Sequence, residues 1–396
     1  MELFKQRHDQ PEERMEPVHA PRNPANVTEK HEEDLLRCVG LIRDRDYTIR
    51  DVEFPLAGNQ VGHIHTIEAG RGNKETLVLI HGYGSGAAFY YKMIANLKDI
   101  FHIYAIDMFG FGSSSRPTLP SFEFNEVVQF LVDGIEGWRQ ALNLRDFVLM
   151  GHSLGGYISS HWIRIKNPPL KMLYLLSPAG FTNRTDAEIK EKTSFFQKPL
   201  LWAYDYFLHE KKKNPMSWIP FAKEYFIKKK FAGKRIGMPS DEAEAASKYL
   251  ASHIEKSECG EKTVGVLLRY ARYSKYPICQ MLKEILDHRG FDYPIVAIYG
   301  EKDWMDFNHS IQKNEELRLN VEIAILEKCD HQIILQNPDG LADRMRRDFQ
   351  KGYESLSQVR LCIIFSTSSI SSWEELIHRW KDTSHTKTLF KDEPAV

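Results

Sequence analysis

Short apolar runs closed by glycine or a polar turn recur along the chain: TLVLIHGYG from Thr76, HIYAIDMFGFG from His102, FVLMGHS from Phe147, KMLYLLSPAG from Lys171 and YPIVAIYGEKD from Tyr293. Near-continuous Val, Ile and Leu predicts strands buried on both faces. Between two of them, FNEVVQFLVDGIEGWRQAL returns apolar residues at helical spacing, giving one buried stripe. Strand and helix in alternation predict a mostly parallel sheet with helices on both faces. Upstream, TIRDVEFPLAGNQVGHIHTIEAG reads as antiparallel strands turning at Gly58 and Gly70, which would form one edge of that sheet.

The pattern changes in three places. From about Gly180 to Phe291 the chain is helical in period, rich in lysine and aromatic, and is expected to be a cap inserted over the carboxyl ends of the strands. Beyond Tyr353, SSWEELIHRW carries a capping box of Ser372 with Glu375 ahead of Trp373, Leu376, Ile377 and Trp380, predicting a short helix in a polar extension. The first residues alternate charges and prolines without an apolar centre, so they read as a disordered tail and not as a signal peptide or anchor. The expected division is a tail over 1–28, core over 29–179, cap over 180–291, core again over 292–353 and an extension over 354–396.

Composition narrows the chemistry. With 53 Lys and Arg against 54 Asp and Glu, the net charge of −1 supplies no global field for nucleic acid. The 5 cysteines are scattered and never paired as CxxC, which argues against a disulfide framework or a zinc site. His63 and His65 share a strand face but have no third ligand at recognisable spacing, so no metal is expected, nor any organic cofactor. No window has the roughly 18 to 20 apolar residues of a membrane span. The expectation is a cytoplasmic protein, with peripheral attachment to membranes or lipid droplets left open.

Within FVLMGHSLGGYISSHW, Ser153 follows a buried strand and opens a helix, the setting in which GxSxG forms a nucleophile elbow. Gly151 and Gly155 are then required because the strained turn brings neighbouring backbone against the serine. A serine hydroxyl becomes nucleophilic when a histidine takes its proton and a carboxylate holds that histidine in the correct tautomer. Both partners occur downstream in the order this arrangement uses. Asp303 lies in YGEKDWMD after one strand, with Asp306 as the alternative acid, and His331 lies in EKCDHQIILQNPDG after the next. LIHGYG supplies an oxyanion loop, with the amides of Tyr83 and Leu154 as the expected donors. His81 and His152 are expected to be structural.

HGYGSGAAFYY, DMFGFGSSSRP, GHSLGGYISSHWIRIKNP, SPAGF, YGEKDWMD and DHQIILQNPDG together resemble the α/β-hydrolase domain-containing proteins 4 and 5 and their plant and fungal relatives, from about Thr28 to Gln350. The resemblance implies an α/β-hydrolase fold and a lipid substrate. Its members include lysophospholipases acting on N-acyl phospholipids, lysophosphatidic acid acyltransferases, and a noncatalytic lipase coactivator with Asn at the nucleophile. This chain keeps Ser153, and its first tryptophan is Trp138, both unlike the coactivator. The acyltransferase motif of a His followed by four residues and Asp is broken here, since Gln336 stands five after His331.

From Glu210 to Arg235 the chain carries nine Lys or Arg against two Glu, interleaved with Trp218, Phe221, Tyr225, Phe226 and Phe231. This composition suits an anionic lipid surface, with Lys228, Lys229 and Lys230 as candidate contacts, and equally suits a solvated helix face. The expected function is hydrolysis of a carboxylic ester of a lysophospholipid or other glycerolipid through an acyl-enzyme. Acyl transfer to lysophosphatidic acid and a noncatalytic lipid-surface lipase regulator are the alternatives.

Overall fold

Strand-forming runs buried on both sides assemble into one sheet in the computed structural model, which describes residues 27–185, 188, 206, 223–254, 256, 259–270 and 272–352. The N-terminal stretch up to residue 26, most of residues 186–222 including Trp218 and Phe221, and the extension with Trp373 and Trp380 lie outside the described residues.

The strands are β1 (Tyr47–Pro55), β2 (Val61–Ala69), β3 (Glu75–Ile80), β4 (Phe101–Ile106), β5 (Phe147–His152), β6 (Leu170–Leu176), β7 (Ile295–Gly300) and β8 (Glu322–Leu326). Their spatial order is β1-β2-β4-β3-β5-β6-β7-β8. β1 pairs antiparallel with β2, and β2 with β4, while every pairing from β4 to β8 is parallel. The antiparallel edge falls on the segment that the sequence pattern assigned to it.

The principal helices are α1 (Val27–Arg37), α2 (Tyr91–Leu97), α3 (Phe124–Ala141), α4 (Leu154–Lys166), α5 (Lys223–Ala232), α6 (Ser240–Ile254), α7 (Ile278–His288), α8 (Phe307–Leu317) and α9 (Pro338–Lys351). Two apolar cores result, one on each face of the sheet. Leu35, Met93, Ile94, Leu341 and Met345 bring α1, α2 and α9 onto one face, together with Ile227 and Tyr249 of α5 and α6. Val128, Leu131, Ile158 and Leu282 bring α3, α4 and α7 onto the other. The two largest buried rings keep their polar atoms paired, Trp138 Nε1 donating to Thr66 Oγ1 at 3.0 Å and Trp162 Nε1 to Glu136 Oε2 at 2.9 Å. Among the described residues, no helix is long and apolar enough to cross a membrane.

The start of α1 departs from the expected boundary at residue 28, since Val27 and Thr28 open this helix and do not belong to a tail. Its anchor is polar. Glu32, buried on α1, accepts from His65 Nε2 at 2.9 Å while Asp51 on β1 meets His65 Nδ1 at 3.1 Å. Burial opposes a charge on His65, but the two carboxylates overcome it and push its pKa up to about 10. This histidine therefore belongs to a buried ion pair, and His63 beside it bonds Ser113 O and Ser115 Oγ.

Candidate active site

The loops that follow β3, β5, β7 and β8 meet at the carboxyl ends of the parallel strands, the edge where ligands bind in sheets of this type. Ser153 stands between β5 and α4 with φ 51° and ψ −115°, a backbone conformation that costs energy for a residue with a Cβ. Neighbouring contacts hold it there. Its amide donates to Leu176 O at 2.9 Å, and its carbonyl accepts from Ala179 N at 3.1 Å. A Cβ on Gly155 would fall 2.4 Å from Ile80 O, and one on Gly151 would fall 2.7 Å from Gly155 O. Both glycines are therefore dictated by the close approach of backbone that makes the turn.

His331 lies between the other two candidate residues. Its Nε2 is 3.0 Å from Ser153 Oγ, and its Nδ1 is 3.1 Å from Asp303 Oδ1. Asp303 Oδ1 also accepts from Met305 N at 3.0 Å. Burial would raise the Asp303 carboxyl, but the His331 contact and the Met305 amide outweigh it and hold the group below its ordinary value. Asp306 is engaged elsewhere: it caps α8 by accepting from His309 N at 3.3 Å and takes Arg184 Nε at 2.7 Å. The structure thus brings Asp303, and not Asp306, to the histidine.

Leu154 is the first residue of α4, so its amide has no carbonyl one turn back to serve. Tyr83 follows Gly82, and a Cβ on Gly82 would come 3.0 Å from Ser153 Cβ, so this loop closes directly over the serine. Asp107 sets the loop's position. Fully buried, it accepts from Ala87 N at 2.7 Å and from Ser113 N at 2.7 Å, tying the chain after β3 to the chain after β4. Burial opposes its charge, yet the surrounding histidines His253, His65 and His81 bring its pKa down to about 2. The sequence reading missed Asp107, although DMFGFGSSSRP holds it at the end of an apolar run, the position from which a carboxylate can reach a neighbouring loop.

His152 and His81 are buried supports. His152 Nε2 donates to His331 O at 2.8 Å, with its pKa lowered to about 3 by burial and by the neighbouring His331. His81 Nε2 accepts from Met108 N at 3.1 Å. Gln336, at the position of the broken motif, accepts from Asp330 N at 2.8 Å and donates to Arg235 O at 2.5 Å, joining the loop of His331 to the segment after α5. On α5, Lys228 is paired with Glu244 at 2.9 Å, Lys229 is exposed, and Lys230 turns its ammonium inward, where burial and then the nearby Arg235 lower its pKa.

A family profile described as alpha/beta hydrolase fold matches residues 75–338, and the chain belongs to that family. A probable 1-acylglycerol-3-phosphate O-acyltransferase of Oryza sativa subsp. japonica is 26% identical over 276 residues, which cover 68% of this chain and 65% of that protein. The (lyso)-N-acylphosphatidylethanolamine lipase of Mus musculus is 28% identical over 253 residues, which cover 61% of this chain and 69% of the lipase. The chain thus spans about two thirds of the length of these curated relatives, at 65% and 69%. Both names fall within the branch whose motifs the sequence resembles, and the resemblance is borne out. Among solved structures, Cfl2 of Burkholderia cenocepacia has a TM-score of 0.59 at 19% identity, covering 78% of this chain and 98% of that one, a likeness of fold.

Proposed function

We propose that the protein is a serine hydrolase that cleaves carboxylic esters of lysophospholipids or related glycerolipids. The observation that carries this reading is the chain of two contacts, 3.0 and 3.1 Å, linking Ser153 Oγ through His331 to Asp303. In the proposed cycle Ser153 Oγ attacks the ester carbonyl carbon while His331 Nε2 takes its proton, and Asp303 holds the Nδ1 proton of the resulting imidazolium. The amides of Tyr83 and Leu154 take the developing oxyanion, a stabilisation typically worth about 3 to 4 kcal/mol per donor. His331 then protonates the departing glycerol alkoxide, leaving an acyl-enzyme. Water, deprotonated by the same histidine, releases the fatty acid and restores Ser153.

The lipase name of the mouse relative supports a lipid ester as substrate. The acyltransferase name of the rice relative favours a second reading, in which a lysolipid hydroxyl replaces water at the acyl-enzyme. Of the expected cap over 180–291, α7 instead packs in the core with α3 and α4; α5 and α6 would border the site, where Arg235 meets Asp330 beside His331, and the protein would work peripherally on an anionic lipid surface. Lys229 is better suited to that surface than Lys228, whose ammonium is engaged by Glu244, or Lys230, whose ammonium is desolvated. The test is fluorophosphonate labelling of one sample and incubation of a second, unlabelled sample with mixed lysophospholipids. Free fatty acid as product supports hydrolysis, and diacyl phospholipid supports transfer. Labelling without turnover of any ester would leave a noncatalytic lipid-surface role.

A further inference from the structure

Ser177, the first residue after β6, is held between the two halves of the site. Its amide donates to Ile298 O on β7 at 2.7 Å, while its neighbours Leu176 and Ala179 bond the backbone of Ser153 at 2.9 and 3.1 Å. The residue is fully buried and adopts φ 42°, the left-handed region that glycine occupies without strain. If the turn alone mattered, glycine would serve better. Strain retained at a serine points to a use for its hydroxyl.

Two buried oxygens lack a hydrogen bond of normal geometry here, Ser177 Oγ and Asp303 Oδ2, the latter being the carboxylate oxygen that does not face His331. A hydroxyl is a rotor that can turn its proton toward an acceptor, and a sealed carboxylate oxygen offers lone pairs and nothing else. We propose that the Ser177 hydroxyl donates to Asp303 Oδ2 and so aims Oδ1 at His331 Nδ1, which makes Ser177 a positioning residue; this rests on the reading of Ser153, His331 and Asp303 given above. Consistent with it, burial alone would raise the Asp303 carboxyl, and Ser177 is among the groups that hold it down.

The experiment compares Ser177→Gly and Ser177→Ala with wild type on a short soluble p-nitrophenyl ester. Both variants lack the hydroxyl but differ in backbone cost, glycine relieving the strain and alanine keeping it. Their kcat should fall about tenfold with KM unchanged, the loss of one charge-assisted hydrogen bond at the acid. The acid limb of the kcat/KM profile should move to higher pH, because a carboxylate that no longer shares its charge with the hydroxyl stabilises protonated His331 more strongly. The other groups facing this pair stay as they are: His152 and His81, Tyr299 on β7, Cys329 and Asp330 beside His331, and Arg235 on Asp330. The thermal melt of Ser177→Gly should equal or exceed wild type while that of Ser177→Ala falls. Unchanged kcat and pH profile in Ser177→Gly would overturn the proposal, as would a loss confined to the less stable alanine variant. A wild type that is not labelled at Ser153 would instead overturn the reading of the site and this inference with it.

Discussion

Asp303→Asn and Asp306→Asn are near-isosteric changes three residues apart, and the structure gives them opposite consequences. At position 303 the carboxylate that meets His331 Nδ1 at 3.1 Å is replaced by an amide whose NH2 can donate to that nitrogen. His331 then carries its proton on Nε2, facing Ser153 Oγ, and can no longer accept the proton of the nucleophile. Loss of the right tautomer typically lowers kcat by about 10,000-fold, or about 5 to 6 kcal/mol in the barrier. At position 306 Asn still caps α8, since Asn is as good a cap as Asp. What goes is the pair with Arg184, whose side chain is 9% exposed against 14% for Asp306. A neutral acceptor remains for the guanidinium, so the cost is about 1 to 3 kcal/mol of stability, with kcat within a few-fold of wild type. The assay is kcat on a soluble p-nitrophenyl ester, with a thermal melt of each variant. If Asp306→Asn loses more activity than Asp303→Asn, the acid has been assigned to the wrong carboxylate.

Other consequences are open to measurement. Gly155→Ala would place a methyl 2.4 Å from Ile80 O and 2.5 Å from His81 O, so it should cost about 1 to 3 kcal/mol in urea unfolding and displace the loop over Ser153; a melt and kcat equal to wild type would contradict the packing account. His65 has a folded pKa of about 10 above its ordinary 6.5, so its protonated pairing stabilises fully below about pH 6.5 and is lost as pH rises through about 10. The shift corresponds to up to about 5 kcal/mol, so the stability deficit of Glu32→Gln should be large near pH 6.5 and narrow near pH 10.5; a deficit independent of pH would refute the pairing. Changing Lys229 to Gln should weaken binding to anionic vesicles by up to about 1 kcal/mol, less at high salt. Lys228→Gln or Lys230→Gln should change little, and equal binding by Lys229→Gln and wild type would make these lysines a solvated face.

The strands were readable in the sequence because β3, β5, β6 and β7 are buried on both faces, which forces continuous apolar runs. The edge pair was readable from alternation and the turns that bound it. What escaped the sequence is polar and long-range. α1 carries charged residues that suggest solvent, yet Glu32 is buried because its partner His65 lies 33 positions away. Pattern favours Asp303 but leaves Asp306 open, since both sit in one loop and the turn decides which faces the histidine. Lys228 looked equivalent to its neighbours until the fold set it beside Glu244 on α6. Ser177 was visible within SPAGF as a family marker, but nothing local connects it to an aspartate in the loop after β7.

Mass mapping of a fluorophosphonate adduct tests most directly whether Ser153 supplies the attacking oxygen. The wild type should carry one adduct, on the peptide containing Ser153, with ester turnover lost in step with labelling. Ser153→Ala should show neither adduct nor turnover while its thermal melt stays near wild type. An adduct on another residue, or ester hydrolysis retained by Ser153→Ala, would contradict the account.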